Sequence, residues 1–373
     1  METNQRICSK CIMDTSDPDI TFDEKGVCNH CRDYAKCLKE PAYLAKKQPG
    51  AVDCLVNKIK QEGRRKKYDC IIGVSGGVDS TYTAYLVKQL GLRPLAVHMD
   101  NGWDSELAVD NIKKFLNKLN IDLCTIVLDW EEFKELQLAF LKSSTPDSEI
   151  PTDHAIIAVL YKVAADYGLR YILCGHNTAT EGGGVPAWSQ GHADWGYIKG
   201  IYSQFTGKNL KKYPHVGPIE FAYYAILKRI QWIQILDYFD YDKKQAVKII
   251  EQELNWRNYG SKHYESIYTR FYQGYILLEK FGFNKRRLHL SSLIWSNQMT
   301  REEALEKIKE IDYPKNLQEQ DKEFVQKKLG VTEKEFGKIM ATPPKNFWDY
   351  PSDKKIFYKY KWLIRIYHHF KRR

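Results

Sequence analysis

Residues 71–86 read IIGVSGGVDSTYTAYL. The apolar run Ile71–Val74 reads as a buried strand, and it stops at Ser75. Two glycines, an acid and a hydroxyl follow, and then a helix-compatible stretch. A Gly-rich turn between a strand and a helix presents backbone N–H groups and a helix N-terminus to an anion. Gly76 and Gly77 are expected to let the main chain approach closely and to adopt positive φ. Ser75 and Ser80 add hydroxyl donors. A Walker-type loop would also carry a lysine that reaches the β- and γ-phosphates; this turn has none.

Around this turn the sequence alternates. YDCIIGV (68–74), RPLAVHMD (93–100), LCTIVLD (123–129) and YILCGH (171–176) read as strands. Helical patterns lie between and after them, at 80–90, 105–119, 131–141 and 154–167. Strand, helix, strand in strict order predicts an α/β fold with a doubly wound parallel sheet. Ligands then sit beyond the carboxyl ends of the strands, where Ser75, Asp100 and His176 fall. From Asn177 to Pro218 the periodicity fails, although glycines and tryptophans abound. A connection this long is usually functional. After Ile219 the chain reads as helical and aromatic. The expected organisation is a zinc-binding module at 1–50, the sheet domain at 51–220 and a mainly helical region at 221–373.

Composition narrows the function. The chain has 373 residues and a net charge of +10. Lys354 to Arg373 hold eight Lys/Arg and no acid, which leaves only +2 for the rest. The basicity therefore belongs to the tail, and a nucleic-acid groove over the body is not implied. In that tail Ile356, Tyr360, Leu363, Ile364, Tyr367 and Phe370 fall on one helical face, as in a docked C-terminal helix with a basic outer face. No apolar run is long enough to predict a transmembrane segment. The polar start predicts no secretory signal and a cytoplasmic protein.

Nine cysteines then point to reduced thiols or metal ligands. Cys8-x-x-Cys11 and Cys28-x-x-Cys31 are sixteen residues apart, a zinc-site spacing in which two knuckles close a tetrahedral thiolate site. Four protein ligands leave no open position, so a structural Zn²⁺ is expected. His30 is a possible substitute ligand.

SGGVDS resembles the PP-loop of the N-type ATP pyrophosphatases, over roughly residues 68–177. That resemblance implies ATP and Mg²⁺ as cofactors, with Ser75, Gly76, Gly77, Val78, Asp79, Ser80, Asp100 and Gly175 at the nucleotide and Asp79 on Mg²⁺. The bland alternative for Asp100 is a cap on the helix that starts near Asp104. A wider resemblance rests on CSKCIMDTSDPDITFDEKGVCNHC, the loop, IPTDHAI (150–156), CGHNTATEGG (174–183) and YGSKHYESIYTRFYQGYILLEKFGFNKRRLHLSSLI (259–294). Together these look like the N-acetyl sugar amidotransferases (WbpG- and PseA-like) of bacterial surface-polysaccharide and nonulosonate biosynthesis. Ser261 stands where a glycine is expected in that pattern.

The implied reaction adenylylates an acetamide oxygen and releases pyrophosphate. Ammonia then displaces AMP to leave an acetamidino group. Such a site needs cations outside the loop, and Lys262, Arg270, Lys285 and Arg286 can supply them. Lys262 is expected on phosphate, while Arg270, Arg286 and His263 are expected on substrate. Asp153 and His154 follow Pro151 at a helix start, where Asp153 is either an N-cap or a contact to a substrate hydroxyl or ammonium. His176, Asn177 and Glu181 lie past the fourth strand. Glu181 could bind a second Mg²⁺ or deprotonate ammonium, and His176 could equally be structural. The substrate implied is a UDP-linked diacetamido-mannuronic acid for O-antigen or lipopolysaccharide, with a CMP-linked pseudaminic or legionaminic acid as the alternative. No cysteine sits in a nucleophile elbow, so a HisH-like glutaminase and a HisF-like channel subunit are the implied ammonia source. A PP-loop tRNA-modifying enzyme, a thiolase or lysidine synthetase, is the rival reading, although no C-x-x-C occurs after Cys31.

Overall fold

The computed structural model describes residues 6–260, 262 and 264–355. His263, Ser261 and the C-terminal helix expected over 356–370 lie outside the described residues.

Five parallel strands form one sheet: β1 Cys70–Gly73, β2 Pro94–Asp100, β3 Leu123–Val127, β4 Tyr171–Cys174 and β5 Gln231–Gln234, in the order β3-β2-β1-β4-β5. β1 is central. Its Ile71 aligns with Leu95 of β2 and Ile172 of β4, and all three side chains are buried, as a sheet covered on both faces requires. The chain builds outward from β1 to β2 and β3, then returns to the other side of β1 for β4 and β5. The connections after β1 and β4 therefore diverge from adjacent strands. That point of reversal is where an open α/β sheet leaves a crevice.

The helices at Val78–Gln89, Glu106–Leu119, Trp130–Ser143 and Ile150–Asp166 occupy the expected places. Ser105 and Asp129 cap two of them, their side chains accepting from the N–H groups of Ala108 and Glu132. The helix Ile150–Asp166 begins earlier than expected, with Glu149 at the N-cap position, so Asp153 lies in the first turn and is not the cap.

Two other expectations are corrected. The stretch 177–218 contains a regular helix, Trp195–Thr206, capped by Asp194 and closed by Gly207 at φ 69°. Its buried Tyr197, Ile198, Ile201 and Tyr202 pack toward the helix Trp130–Ser143, with Tyr197 edge-on to Phe140. The fifth strand lies inside the stretch expected to be helical. It is only four residues long and half-buried at the sheet edge, so it leaves no run of alternation to read.

The N-terminal cysteine module is fixed to the C-terminal helices. Arg287, on the helix Lys285–Trp295, pairs with the fully buried Asp14 at 2.7 Å and donates to the Ile12 carbonyl. Arg301 donates to the carbonyls of Cys8 and Cys11. The same hydrophobic core holds the four cysteines, Trp103, Phe140 and Trp295.

Candidate active site

The turn after β1 is held by its neighbours. Gly76 has φ +79°, and a Cβ there would come within 2.7 Å of the Ala108 carbonyl oxygen, so the position requires glycine twice over. Gly77 has φ −74° and forms the N-cap of the helix Val78–Gln89, which corrects the expectation of positive φ at both glycines. Its missing side chain matters for access: a Cβ would lie 3.1 Å from the Tyr259 hydroxyl and 3.2 Å from a Glu265 carboxylate oxygen. Trp256 Nε1–H donates to the Gly76 carbonyl at 2.8 Å, and the Val78 N–H donates to the Tyr259 hydroxyl at 3.3 Å. The hydroxyls of Ser75 and Ser80 stand 3.3 Å apart across the turn. Gly175, at the end of β4, serves approach: a Cβ there would strike the Asp79 backbone at 2.7 Å.

A charged cluster faces this turn. Asp79 accepts from the Tyr241 hydroxyl. Glu181 accepts from Lys262 Nζ at 2.7 Å and from His176 Nδ1–H at 2.5 Å. Burial and the nearby Glu181 carboxylate raise the Asp79 carboxyl above its ordinary range. Burial also opposes ionisation of Glu181, but Lys262 and His176 outweigh it and hold that carboxyl well below its usual value. The Glu181 hydrogen bond raises His176. Burial lowers Lys243, against the pull of Asp79. These groups surround a cavity of about 240 Å³ over the loop. Of its lining, Asp79, Lys262 and Glu181 were legible in sequence, whereas Lys243, Tyr259 and Glu265 were not assigned. Segment 259–267 reaches the loop because it pairs with the connection after β2: Ser105 N–H donates to the Glu265 carbonyl at 2.8 Å and Ile267 N–H to the Trp103 carbonyl at 2.9 Å.

On the other side of Ser75 and Ser80 lies a second cavity, of about 350 Å³, lined by Val97, Met99, Leu160 and Trp232 and by polar His98 and Asn101. The apolar side chains among its lining suit the face of a purine ring, while Asp104, Glu149, Asp153, Glu265 and Lys285 also line it and make the rest of the cavity polar and charged. His98 Nδ1–H donates to the Val74 carbonyl at 3.0 Å, and its Nε2 faces Asp104 at 3.1 Å. The Cys174 thiol opens on this cavity, accepts from Trp232 Nε1–H at 2.8 Å and is raised to about 11, chiefly by burial. A third and larger cavity, of about 730 Å³, shares Lys243 and Lys262 with the first and Thr269, Gln273 and Lys285 with the second. Lys244, Lys248, Lys285 and Lys307 line it alongside Lys243 and Lys262.

The remaining expected residues fall elsewhere or are engaged. Asp100 accepts from the Gly102 N–H at 2.7 Å, an Asx turn, and neither caps a helix nor lines the cavities over the loop; Asn101 and Asp104 do line the purine-sized one. His154 is fully buried: Nδ1–H donates to the His192 carbonyl, and Nε2 accepts from the Val216 N–H. Two such partners fix a neutral ring, and burial lowers its pKa to about 4. It is a core histidine and not a substrate contact. Asn177, also fully buried, caps the short helix Thr178–Glu181 through its side chain. Asp153 pairs with His192 at 3.3 Å but stays half-exposed and lines the 350 Å³ cavity. Arg270 forms a two-bond pair with Asp321, both at 2.7 Å, and Arg286 donates to the carbonyls of Lys307 and Glu310. Both arginines line the large cavity, but their charges are already matched within the protein.

The four cysteines Cys8, Cys11, Cys28 and Cys31 are buried, with all four sulfur atoms within 4.8 Å of one another. Neighbouring sulfurs stand 3.6 to 3.8 Å apart. A tetrahedron with Zn–S bonds of about 2.3 Å has edges of roughly 3.8 Å, so the set fits zinc. Backbone N–H groups of Cys28 and Met13 and the indole N–H of Trp295 point at the sulfurs, the outer hydrogen bonds that stabilise thiolates. His30 is engaged with Asp17 at 2.6 Å and is no ligand. Among the described residues no helix is long and apolar enough to cross a membrane.

Comparison with known proteins divides the chain. Residues 49–148 match the NAD synthase family, and residues 265–365 match the family described as LPS biosynthesis protein WbpG-like, C-terminal domain. An uncharacterized protein of Methanocaldococcus jannaschii is 23% identical over 322 residues, which is 84% of this chain and 96% of that one. The tRNA-specific 2-thiouridylase MnmA of Mesomycoplasma hyopneumoniae is 29% identical over 164 residues, 36% of this chain and 43% of the thiouridylase. The chain therefore spans less than half of that enzyme. Among solved structures, an NH3-dependent NAD synthetase from Campylobacter jejuni aligns at a TM-score of 0.33 and 14% identity, covering 78% of this chain and 97% of that one. Two separate segments of the chain thus match, one an NAD synthase model and one a WbpG-like C-terminal model, and a buried cluster of four cysteines precedes both.

Proposed function

We propose that this chain is an ATP-dependent amidotransferase that converts an N-acetyl group of a nucleotide-activated sugar into an acetamidino group. The observation that carries this reading is the large lysine-lined cavity, built mainly from the C-terminal half, which opens on the ATP loop through Lys243 and Lys262. An activated sugar brings a di- or monophosphate, and a uronate or nonulosonate adds a carboxylate. Lys243, Lys244, Lys248 and Lys307 around one cavity suit such a polyanion, beside Lys262, which is paired with Glu181, and Lys285, which is half-buried near Asp147 and Glu149. The match to a family described by LPS biosynthesis supports a role in bacterial surface-glycan synthesis; within it we take a UDP-linked diacetamido-mannuronic acid as the first candidate substrate and a CMP-linked nonulosonic acid as the second, handled in the cytoplasm.

The chemistry follows from the charges. The amide oxygen attacks the α-phosphorus of ATP, the bond to the β-phosphate oxygen breaks, and pyrophosphate leaves toward Ser75–Ser80. Lys262 and Lys243 face that leaving charge, which explains how the loop works without a lysine of its own. Mg²⁺ would be held by Asp79 and Glu181 with the phosphates, the one-or-two-carboxylate pattern usual for this ion, and would neutralise phosphate charge. The fit rests on Asp79: its carboxyl is raised by burial and by a like charge, a situation a cation relieves. Ammonia then adds to the amide carbon, and AMP leaves with the former amide oxygen. Glu181 is too firmly ionised to be an effective base, so it belongs with the metal and Lys262. Ammonia would come from a HisH-like glutaminase through a HisF-like channel subunit. Cys174, the thiol on the purine-sized cavity, is held protonated by burial and is unsuited to glutamine hydrolysis.

The thiouridylase matches favour one other reading, tRNA thiolation. It calls for a nucleophilic thiol at the loop, and the protonated state of Cys174 argues against it. The test is mass spectrometry of UDP- and CMP-linked N-acetyl sugars incubated with the chain, ATP, Mg²⁺ and ammonia. An acetamidino product, cationic at neutral pH, is the expected result. Conversion of none of these sugars, with sulfur incorporation into tRNA instead, would replace this reading by the other.

A further inference from the structure

On the amidotransferase reading, on which this inference rests, the amination step needs a proton acceptor. Ammonia brings three N–H hydrogens and the acetamide one, whereas the amidinium product keeps only three on its two nitrogens. One proton must pass to a base between the attack and the departure of AMP. Glu181, paired with Lys262, is unsuited. The base must stand where the amide carbon meets the α-phosphate, between the cavity of about 350 Å³ beside the loop and the cavity of about 730 Å³. Thr269, Gln273 and Lys285 line both cavities and so mark that boundary.

Most carboxylates near the boundary are engaged. Asp104 faces His98 at 3.1 Å, and Asp153 pairs with His192 at 3.3 Å. Glu265 accepts from the Tyr259 hydroxyl beside the loop. Asp147 accepts from Ser189 and faces His192 at 3.5 Å. Glu149 differs. It lines the smaller cavity together with Ser75 and Ser80, is only 8% exposed, and among the described residues forms no ion pair. Its Oε2 accepts from the Gln273 side-chain amide at 2.8 Å, which ties it to the boundary. The backbone fixes it too. At the N-cap position of the helix Ile150–Asp166, its N–H donates to an Asp147 carboxylate oxygen at 2.9 Å, and its carbonyl accepts from the Thr152 N–H at 2.8 Å. Burial raises its carboxyl above the ordinary range; Lys285 opposes this and Asp147 adds to it. Such a carboxylate takes up a proton more readily than Glu181 does.

We propose that Glu149 is the general base of the amination half-reaction. As the ammonia nitrogen bonds to the amide carbon, the electron pair of the C=N bond moves onto the sugar nitrogen. The attacking nitrogen, now positively charged, passes one proton to the Glu149 carboxylate. The C–O bond then breaks, AMP leaves with the bonding pair, and the amidinium remains. The first half-reaction, in which pyrophosphate leaves, makes no use of Glu149.

Glu149→Gln in the full chain tests this. Glutamine keeps the shape and can still accept from Gln273. The assay is a single turnover with ATP, Mg²⁺, ammonium chloride and whichever of the UDP- and CMP-linked N-acetyl sugars the wild type converts. Pyrophosphate release should stay within about twofold of the wild-type rate, while the acetamidino product should form about 10²- to 10³-fold more slowly. With hydroxylamine as the nucleophile the product deficit should narrow to about tenfold or less, because its adduct gives up a proton more readily. A purely structural role would leave the deficit unchanged. Glu149→Asp, which withdraws the carboxylate by one methylene, should also slow amination with pyrophosphate release kept, and gives the readout if the glutamine variant unfolds. Amination at the wild-type rate in Glu149→Gln, or equal loss of both half-reactions in a variant that melts like the wild type, would overturn the proposal while leaving the amidotransferase reading intact. A wild-type chain that forms no acetamidino product would remove that reading and this assignment with it.

Discussion

Asp79→Asn separates catalysis from stability in one side chain. Asparagine keeps the shape, and its amide oxygen can still accept from the Tyr241 hydroxyl. It removes a carboxylate whose ionised form is disfavoured by burial and by Glu181. A carboxyl with a raised folded-state pKa binds its proton more tightly folded than unfolded. Its contribution to stability is full below the unfolded-state value and fades as pH rises through the folded value. At neutral pH without Mg²⁺, ionised Asp79 is therefore a cost, and the variant should be at least as stable as the wild type, by up to about 1 kcal/mol. Activity should move the other way. On the proposed mechanism Asp79 helps to hold Mg²⁺, so its loss forfeits several kcal/mol of transition-state stabilisation, and about 4 kcal/mol is about 10³ in rate. Mg·ATP at 100 times its Kd should stabilise the wild type by about 2.7 kcal/mol and the variant by much less. Thermal unfolding with and without Mg·ATP, alongside pyrophosphate release, measures all three. A variant that melts several degrees lower without ligand, or that releases pyrophosphate at the wild-type rate, would refute the reasoning.

Other expectations follow from the same geometry. Lys243→Met and Lys262→Met should each slow pyrophosphate release by about 10²-fold, with Lys262→Arg retaining more activity than Lys262→Met, as rates at saturating ATP would reveal. Glu181→Gln removes the hydrogen bond that raises His176, so the His176 titration followed by NMR should shift to lower pH. The stabilisation that charged His176 contributes, present below its unfolded-state pKa and lost as pH rises through the folded value, should shrink with it. Cys28→Ser should lose the bound zinc found by metal analysis. It should also quench or shift tryptophan fluorescence, because the Trp295 indole N–H lies 3.1 Å from the Cys31 sulfur. Stability should fall as well, since the cysteines share a core with the C-terminal helices.

What the sequence disclosed was what is local. Ser75–Ser80 could be read because strand, turn and helix are contiguous, and the four cysteines because two short knuckles keep their spacing. Lys243 and Tyr259 could not, since they come to the loop only through the packing of distant segments against Gly77 and Asp79. His154 looked reactive because it follows Pro151 at a helix start. Only the tertiary structure shows that the Val216 N–H and the His192 carbonyl use both of its nitrogens. Arg270 and Arg286 looked free for the same reason: Asp321 and the carbonyls that match them lie 21 to 51 residues away in sequence. The helix Trp195–Thr206 was hidden by glycines at 196 and 200, which fit because Asp353 and Pro351 press against that face.

The central claim is that the amide oxygen itself attacks ATP. An N-acetyl nucleotide sugar labelled with heavy oxygen in its acetamide carbonyl, turned over with ATP and ammonia, tests this directly. The account predicts that the label leaves the sugar and appears in the phosphate of AMP, in equal amount to the acetamidino product. Unlabelled AMP formed alongside that product would contradict it.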